Sequence, residues 1–223
     1  MSALVDKALK DDWRRERERL ATGGDLIAYF GYGSLVNRDT LRTKIVGASA
    51  ARVSGWRREW QPRPDLTLDP ETAIHASLLT ARRDAAATID GLLVFDHIEN
   101  LPAVDLRESD YQRCLVPLDR LTLVDDTVPA GCPVYIYEAD PPEDQQSVYP
   151  ILHSYLDAVL QGFYREHGEE GLRAFIDGTA NFQTPILRDR DWPIYPRAVR
   201  LADEERILID TLLEARGVRF VDR

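Results

Sequence analysis

The sequence predicts an α+β protein, a small closed or strongly curved, mostly antiparallel β-barrel flanked by helices. Two observations carry this. Short apolar or alternating runs bounded by glycine and proline fill the stretch from Leu26 to Tyr137, whereas four-residue apolar steps dominate only after Tyr149. The strands are also grouped instead of alternating with helices. That disfavours a doubly wound parallel sheet and favours one sheet curling on itself.

The elements follow in order. Residues 3–20 are charged and helix-compatible, with Leu4, Ala8 and Trp13 on one side and a dense charge run from Arg14 to Arg19 that predicts a solvated helix. Gly23-Gly24 ends it. Leu26–Phe30 is an apolar run that predicts a buried strand. Ala51–Ser54 and Trp56–Trp60 predict two strands parted by Gly55, and Pro62–Pro70 a loop. Ile74–Thr80 and Thr88–Phe95 predict two more strands, the second with Gly91 inside it, where glycine marks a bulge or a close backbone approach. Leu101–Arg107 predicts a short helix, and Tyr111–Leu118, Leu121–Val124 and Val134–Tyr137 predict strands. Ile151, Tyr155, Val159 and Phe163 repeat at four-residue steps, so Tyr149–Glu166 predicts a helix that ends at Gly168. Glu169–Ile176 and Glu204–Arg216 predict further helices, and residues 178–198 an irregular stretch. The organisation expected is an N-terminal helix over 1–24, a main domain over 25–177 and a C-terminal extension over 178–223 packing on it.

With 223 residues, 44% hydrophobic and 30% charged, the chain can build a core without metals or disulfides. A formal net charge of -10 repels polyanions, so a nucleic-acid partner is not expected. No run of about 18 apolar residues occurs, so no membrane partner is expected either. The N-terminus lacks the apolar core of a signal peptide, and Cys114 and Cys132 read as reduced thiols in a cytoplasmic protein. His75, His97, His153 and His167 are scattered without metal-ligand spacing, so neither metal nor cofactor is expected.

The turn Tyr32-Gly33-Ser34-Leu35 sits between a strand and a helix-start signal at Asn37-Arg38-Asp39-Thr40. A dinucleotide fingerprint fails here because Val36 stands where the third glycine belongs. A serine-hydrolase elbow fails because Tyr32 and Val36 flank Ser34 at the glycine positions. An ordinary tight turn, or a cradle of backbone N–H groups for a carboxylate or oxyanion, both fit the local sequence.

Several motifs fall in one order. Tyr29-Phe30-Gly31-Tyr32-Gly33-Ser34-Leu35 resembles the opening motif of the gamma-glutamylcyclotransferase-like family. Gly55-Trp56-Arg57-Arg58, the strand Ile89–Phe95 around Gly91, Asp105-Leu106-Arg107-Glu108 with Tyr111 and Arg113, and Val134-Tyr135-Ile136-Tyr137 are similar to later segments of that family. Val104 departs from a leucine in the pattern. The resemblance spans roughly residues 27–165.

The resemblance implies cyclisation of a gamma-glutamyl amine or peptide to 5-oxoproline. Glu108 takes the family's acid–base position, Tyr32, Gly33, Ser34 and Leu35 bind substrate, and Tyr135, ahead of Tyr137, presents a hydroxyl to it. A binding member of the same fold that lacks catalysis, or has another specificity, is the alternative. Arg38, Arg57 and Arg113 are candidates to neutralise a substrate carboxylate, although surface ion pairs are the ordinary fate of such residues. The segment Arg188–Arg197, aromatic, doubly charged and stiffened by proline, lies outside the resemblance and is expected to cap the core or to cover the pocket mouth.

Overall fold

The computed structural model describes residues 2–69, 74–124, 126–142 and 147–222. Helix α1 (Ser2–Gly23) leads into strand β1 (Leu26–Gly31), every residue of which is buried. β2 (Gly47–Asp69) and β3 (Ile74–His97) form a long antiparallel hairpin. Helix α2 (Leu101–Arg107) and strands β4 (Gln112–Leu115), β5 (Leu121–Leu123) and β6 (Val134–Glu138) follow. The chain then forms β7 (Ile151–Leu152), α3 (His153–Gly178), β8 (Ile186–Leu187), α4 (Asp203–Ala215) and β9 (Phe220–Val221).

The main sheet runs in the order β4-β6-β1-β3-β2-β5. Its pairs are antiparallel except β1 with β6. The fold is thus α+β and mostly antiparallel, as expected. The closed barrel is not found among the described residues: β4 and β5 are the two edges of the sheet. A second, three-stranded parallel sheet, β7-β8-β9, has strands of two residues, too short to leave a periodic pattern in the sequence.

The hairpin corrects the two-strand reading of residues 51–60. β2 is continuous through a register shift between Ser54 and Trp56, where Gly55 has φ +91°. Residues 62–69, expected as a loop, are also strand; Pro70 lies outside the described residues. Proline is tolerated here because Ser77, opposite Pro62, sends its own N–H outward to the Pro150 carbonyl at 2.8 Å. The Pro62–Ser77 pair therefore carries no ladder bond for the missing N–H to break. Residues 149–152, expected as helix, are extended at the end, because Ile151 and Leu152 pair with Ile186 and Leu187. α3 is broken at Gly168 (φ 69°, ψ -171°), as read from the sequence.

One continuous core joins β1, β3 and α3 and takes in Ile209, Leu212 and Leu213 of α4. Helix α1 is less solvated than its charge run suggests. Arg17 is 2% exposed, pairs with Asp126 at 2.8 and 2.9 Å, and stacks on Trp13 and Phe95. Both cysteines are free. No helix among the described residues is long and apolar enough to cross a membrane.

Candidate active site

β1 and β6 run parallel, with Tyr29 opposite Tyr135, and the candidate site lies at their C-terminal ends. There the chain leaves β1 at Gly31 and enters a 3-10 turn, Ser34–Val36, with Gly33 as its N-cap. No acceptor among the described residues takes the backbone N–H of Gly33, Ser34 or Leu35, as expected of the first groups of a helical turn. A Cβ on Gly33 would stand 3.1 Å from the Tyr155 hydroxyl and 3.2 Å from Leu79. The bare glycine lets the turn approach α3.

The far end of the turn is pinned. Asn37 donates to the Ala158 carbonyl and to Gln161 Oε1 on α3, both at 2.9 Å, and Gln161 in turn donates to Glu205 of α4 at 2.6 Å. Thr40 Oγ1 donates to the Ser34 carbonyl at 2.7 Å. The helices after residue 150 therefore hold the turn in place through buried, partnered polar groups.

Glu108 caps the C-terminus of α2 with non-helical backbone (φ -102°, ψ 31°). Its carboxylate lines a small cavity together with Tyr32, Gly33, Ser34, Leu35, Leu79, Tyr111, Tyr137 and Tyr155. The sequence-predicted Glu108 and glycine turn are thus brought together. The cavity measures about 20 Å³, room for about one water molecule. Admitting a larger ligand requires side chains to move.

Burial pushes the Glu108 carboxyl above the usual carboxylate range, against the opposing pull of Arg107 and Arg197. Burial likewise raises the phenols of Tyr32, Tyr111, Tyr137 and Tyr155 well above the ordinary tyrosine value, with Glu108 adding to each. All four stay neutral near pH 7. Three hydroxyls are engaged: Tyr32 donates to the Tyr137 carbonyl at 2.5 Å, Tyr111 to the Leu79 carbonyl at 3.0 Å, and Tyr137 to Asp105 at 2.7 Å.

Of the two tyrosines of β6, Tyr137 lines the cavity and Tyr135, the residue expected to face substrate, does not. Tyr135 precedes the cavity by two residues of β6, about 6.6 Å at ordinary strand rise, and its ring is covered by the Arg113 guanidinium at 4.8 Å. The three candidate arginines make the ion pairs that are the ordinary fate of such residues. Arg38 pairs with Glu166, Arg57 with Glu59 and Arg113 with Asp105, each partly exposed.

The site's cation is Arg107, which sequence reasoning missed. It donates to Glu108 at 2.9 Å, to the Thr40 carbonyl at 2.8 Å, to Thr40 Oγ1 at 3.2 Å and to Ser34 Oγ at 3.3 Å. One guanidinium thus ties the carboxylate to the glycine turn. Its place directly before Glu108, in the last turn of α2, was the available signal. The segment at 188–197 packs over the site's outer wall: the Tyr195 ring meets the Tyr155 ring edge-on at 4.9 Å. Among the described residues, no His, Cys, Asp and Glu cluster could hold a metal ion.

The fold is similar to that of solved proteins. A solved gamma-glutamyl cyclotransferase superposes with a TM-score of 0.50 at 15% identity, over 84% of this chain and 99% of its own. A yeast gamma-glutamyl cyclotransferase specific to glutathione gives a TM-score of 0.44 at 14% identity, over 87% of this chain and 97% of its own. No family model and no curated protein sequence matches the chain. The first likeness agrees with the motif resemblance on one class: this chain has the gamma-glutamyl-cyclotransferase-like fold.

Proposed function

We propose that the chain cyclises a gamma-glutamyl amine or peptide to 5-oxoproline, with Glu108 as its acid–base residue. The observation that carries this reading is the buried Glu108 carboxyl, facing the glycine turn and joined to it through Arg107.

The chemistry needs little else. The alpha-amine of the gamma-glutamyl group attacks its own gamma-carbonyl carbon, and a C–N bond forms. Glu108 takes the proton that the attacking nitrogen sheds. The bond to the departing nitrogen then breaks, and Glu108 returns the proton to it, so the carboxylate ends as it began. Ring closure is intramolecular, so holding the substrate folded supplies much of the acceleration. The unpaired N–H groups of the turn are placed to receive the developing oxyanion, and the neutral tyrosine hydroxyls line the rest of the cavity. A carboxyl with a raised pKa suits a base that works near neutrality. We assign the chain to the cytoplasm on the same reading, with reduced thiols and a small-molecule partner.

The other reading is a binding protein of the same fold that lacks turnover. Incubation with gamma-glutamyl amino acids, gamma-glutamyl amines and glutathione, with 5-oxoproline measured, separates the two. Release that disappears in Glu108→Gln supports cyclisation. No release from any compound by the folded protein, with retained binding of 5-oxoproline, establishes the binder.

A further inference from the structure

The small cavity shares Leu35 as a wall with a larger pocket of about 270 Å³. That pocket is lined by three guanidinium groups, Arg42, Arg107 and Arg197, and by no carboxylate. This is notable in a chain with 38 acidic residues against 28 Lys and Arg. Among the described residues Arg42 has no hydrogen-bond or ion-pair partner, and Arg197 donates only to the Tyr195 hydroxyl, at 3.2 Å. Arg107 is neutralised by Glu108. Arg42 has no carboxylate partner, and Arg197 touches none and acts on Glu108 only across space, so three guanidinium-bearing residues leave an excess of positive charge at the pocket wall. Asp96 lies behind Tyr29 and Thr43, but it is fully buried and accepts from Tyr29, Thr43, Asn100 and the His97 N–H. Its hydrogen bonds all come from neutral donors, and it forms no ion pair with the arginines among the described residues.

We infer that this pocket binds a dianionic group, a phosphate monoester or a pair of carboxylates, carried on the departing amine of the substrate. The inference rests on the proposed cyclisation for the word substrate, and the anion site itself stands on the arginines alone. The glutamyl portion brings one carboxylate and must place its amine on Glu108. The second half of the molecule is the part free to reach past Leu35. Arg107 spans both spaces, since it touches Glu108 and Ser34 and also lines the pocket. Arg197 belongs to the C-terminal segment, so that segment supplies a specificity residue to the site as well as its cover.

The test uses the full chain and the Arg42→Met, Arg197→Met double variant. Two readouts keep the claims apart. The first is kcat/KM for 5-oxoproline release from gamma-glutamyl methylamide, gamma-glutamyl-glutamate and gamma-glutamyl-phosphoethanolamine. The two dianionic departing groups are expected to exceed the neutral one by about tenfold or more, as one or two charge-assisted hydrogen bonds imply. The double variant is expected to lose most of that preference. The second is thermal protection by inorganic phosphate at constant ionic strength, expected in the wild type and absent in the double variant. If the double variant prefers dianionic substrates as strongly as the wild type does, the inference is overturned. If no substrate is turned over, cyclisation fails and the phosphate arm decides the anion site alone: equal protection of both proteins, or of neither, removes it.

Discussion

Arg107 and Glu108 are adjacent in sequence and form an ion pair at 2.9 Å with both side chains largely buried, 9% and 14% exposed. Neighbours on a helix do not face one another. The pair forms because Glu108 leaves the helix at its C-cap and its side chain swings back toward the Arg107 guanidinium. Two opposed effects then act on one carboxyl. Burial raises its pKa and Arg107 lowers it, and burial wins.

The first prediction is a pH profile. A base must be ionised to take the amine's proton, so kcat/KM falls as pH drops through the Glu108 pKa. That acid limb is expected above the ordinary glutamate value of about 4.3. Arg107→Met removes a cation that holds the carboxyl down, and should move the limb up. A limb that stays in place, or moves down, rules out this pairing as the control on Glu108.

Glu108→Gln should abolish turnover and leave the fold intact, since the amide oxygen can still accept from Arg107. The folded pKa of Glu108 is raised, so the native state binds its proton more tightly than the unfolded chain does. Stability drawn from this group is present below the unfolded value and lost as pH rises through the window up to the folded one. The glutamine has no such window. The unfolding free energy of wild type minus variant should therefore decline with pH above about 4.5. Denaturant titrations at pH 4 and pH 7 measure the difference, and a difference that grows with pH contradicts the buried-carboxylate account.

Arg38, Arg57 and Arg113 provide the contrast. Their ion pairs face solvent, with side chains 47%, 45% and 33% exposed. Alanine at each should cost under about 1 kcal/mol and leave kcat/KM nearly unchanged. Arg107→Ala should cost far more activity. Equal losses at all four would mean that the buried bridge from Glu108 to Ser34 has no special role.

This contrast also marks how far the sequence could be read. That Glu108 and the turn at Tyr32–Leu35 belong together was legible because motif order paired them, and the fold places them around one cavity. Arg107 was in the quoted motif, but nothing local separates a buried arginine from Arg38 or Arg113. Its burial is decided by α2 docking on the turn after β1. That Tyr137 and not Tyr135 lines the cavity was not legible, because alternation gives the face of a strand and not how far along it a cavity begins. Tyr155 was read only as one step of a helical stripe. Its hydroxyl reaches Gly33 because α3 crosses there. The prolines after Trp60 read as a loop, since the open edge that admits them is a property of the sheet. Closure of the sheet, one of the two forms expected, would need pairing between its edge strands β4 and β5, which is not found among the described residues.

Gly91→Ala should disrupt β1 and the turn together. The new Cβ would meet the Gly31 carbonyl oxygen at 2.2 Å and the Phe30 ring at 2.5 Å. The oxygen is backbone in the central strand and cannot swing aside. A loss of about 2–3 kcal/mol is expected, read as a lowered denaturation midpoint with an unchanged slope. A neutral substitution would show that β1 and β3 have room to separate.

Arg58 is a buried cation with no carboxylate in ion-pair contact among the described residues, although the charge of Asp90 acts on it. Its guanidinium lies between the Phe163 and Phe175 rings at 4.9 and 4.7 Å and donates once, to the Asp90 carbonyl at 2.8 Å, while its Nε has no partner. Burial pushes its pKa down to about 10. The rings and one hydrogen bond do not replace the water it has lost. Arg58→Met keeps the stack and removes the charge, so its stability should equal or exceed that of the wild type. Arg58→Ala should lose about 2–4 kcal/mol through the space left behind. A methionine variant as unstable as the alanine one would show that the charge itself holds the two phenylalanines.

Asp189 anchors the segment that covers the site. It is 2% exposed and accepts from the Ser154 N–H at 2.8 Å, the Ile194 N–H at 3.0 Å and the Ser154 hydroxyl. Ser154 Oγ then accepts from the Tyr195 N–H at 3.3 Å, which sets Tyr195 against Tyr155. In Asp189→Asn one acceptor oxygen becomes a donor that must face an N–H or a hydroxyl. Charge-assisted bonds of this kind are worth about 1.5–3 kcal/mol each, so the cover should loosen before the sheet does. Amide exchange at Ile194 and Tyr195 should accelerate while β1 and β3 stay protected, and KM should change more than kcat. Unchanged protection at Ile194 and Tyr195 would mean that the cover is held by its apolar contacts with Tyr155 and α3, not by Asp189.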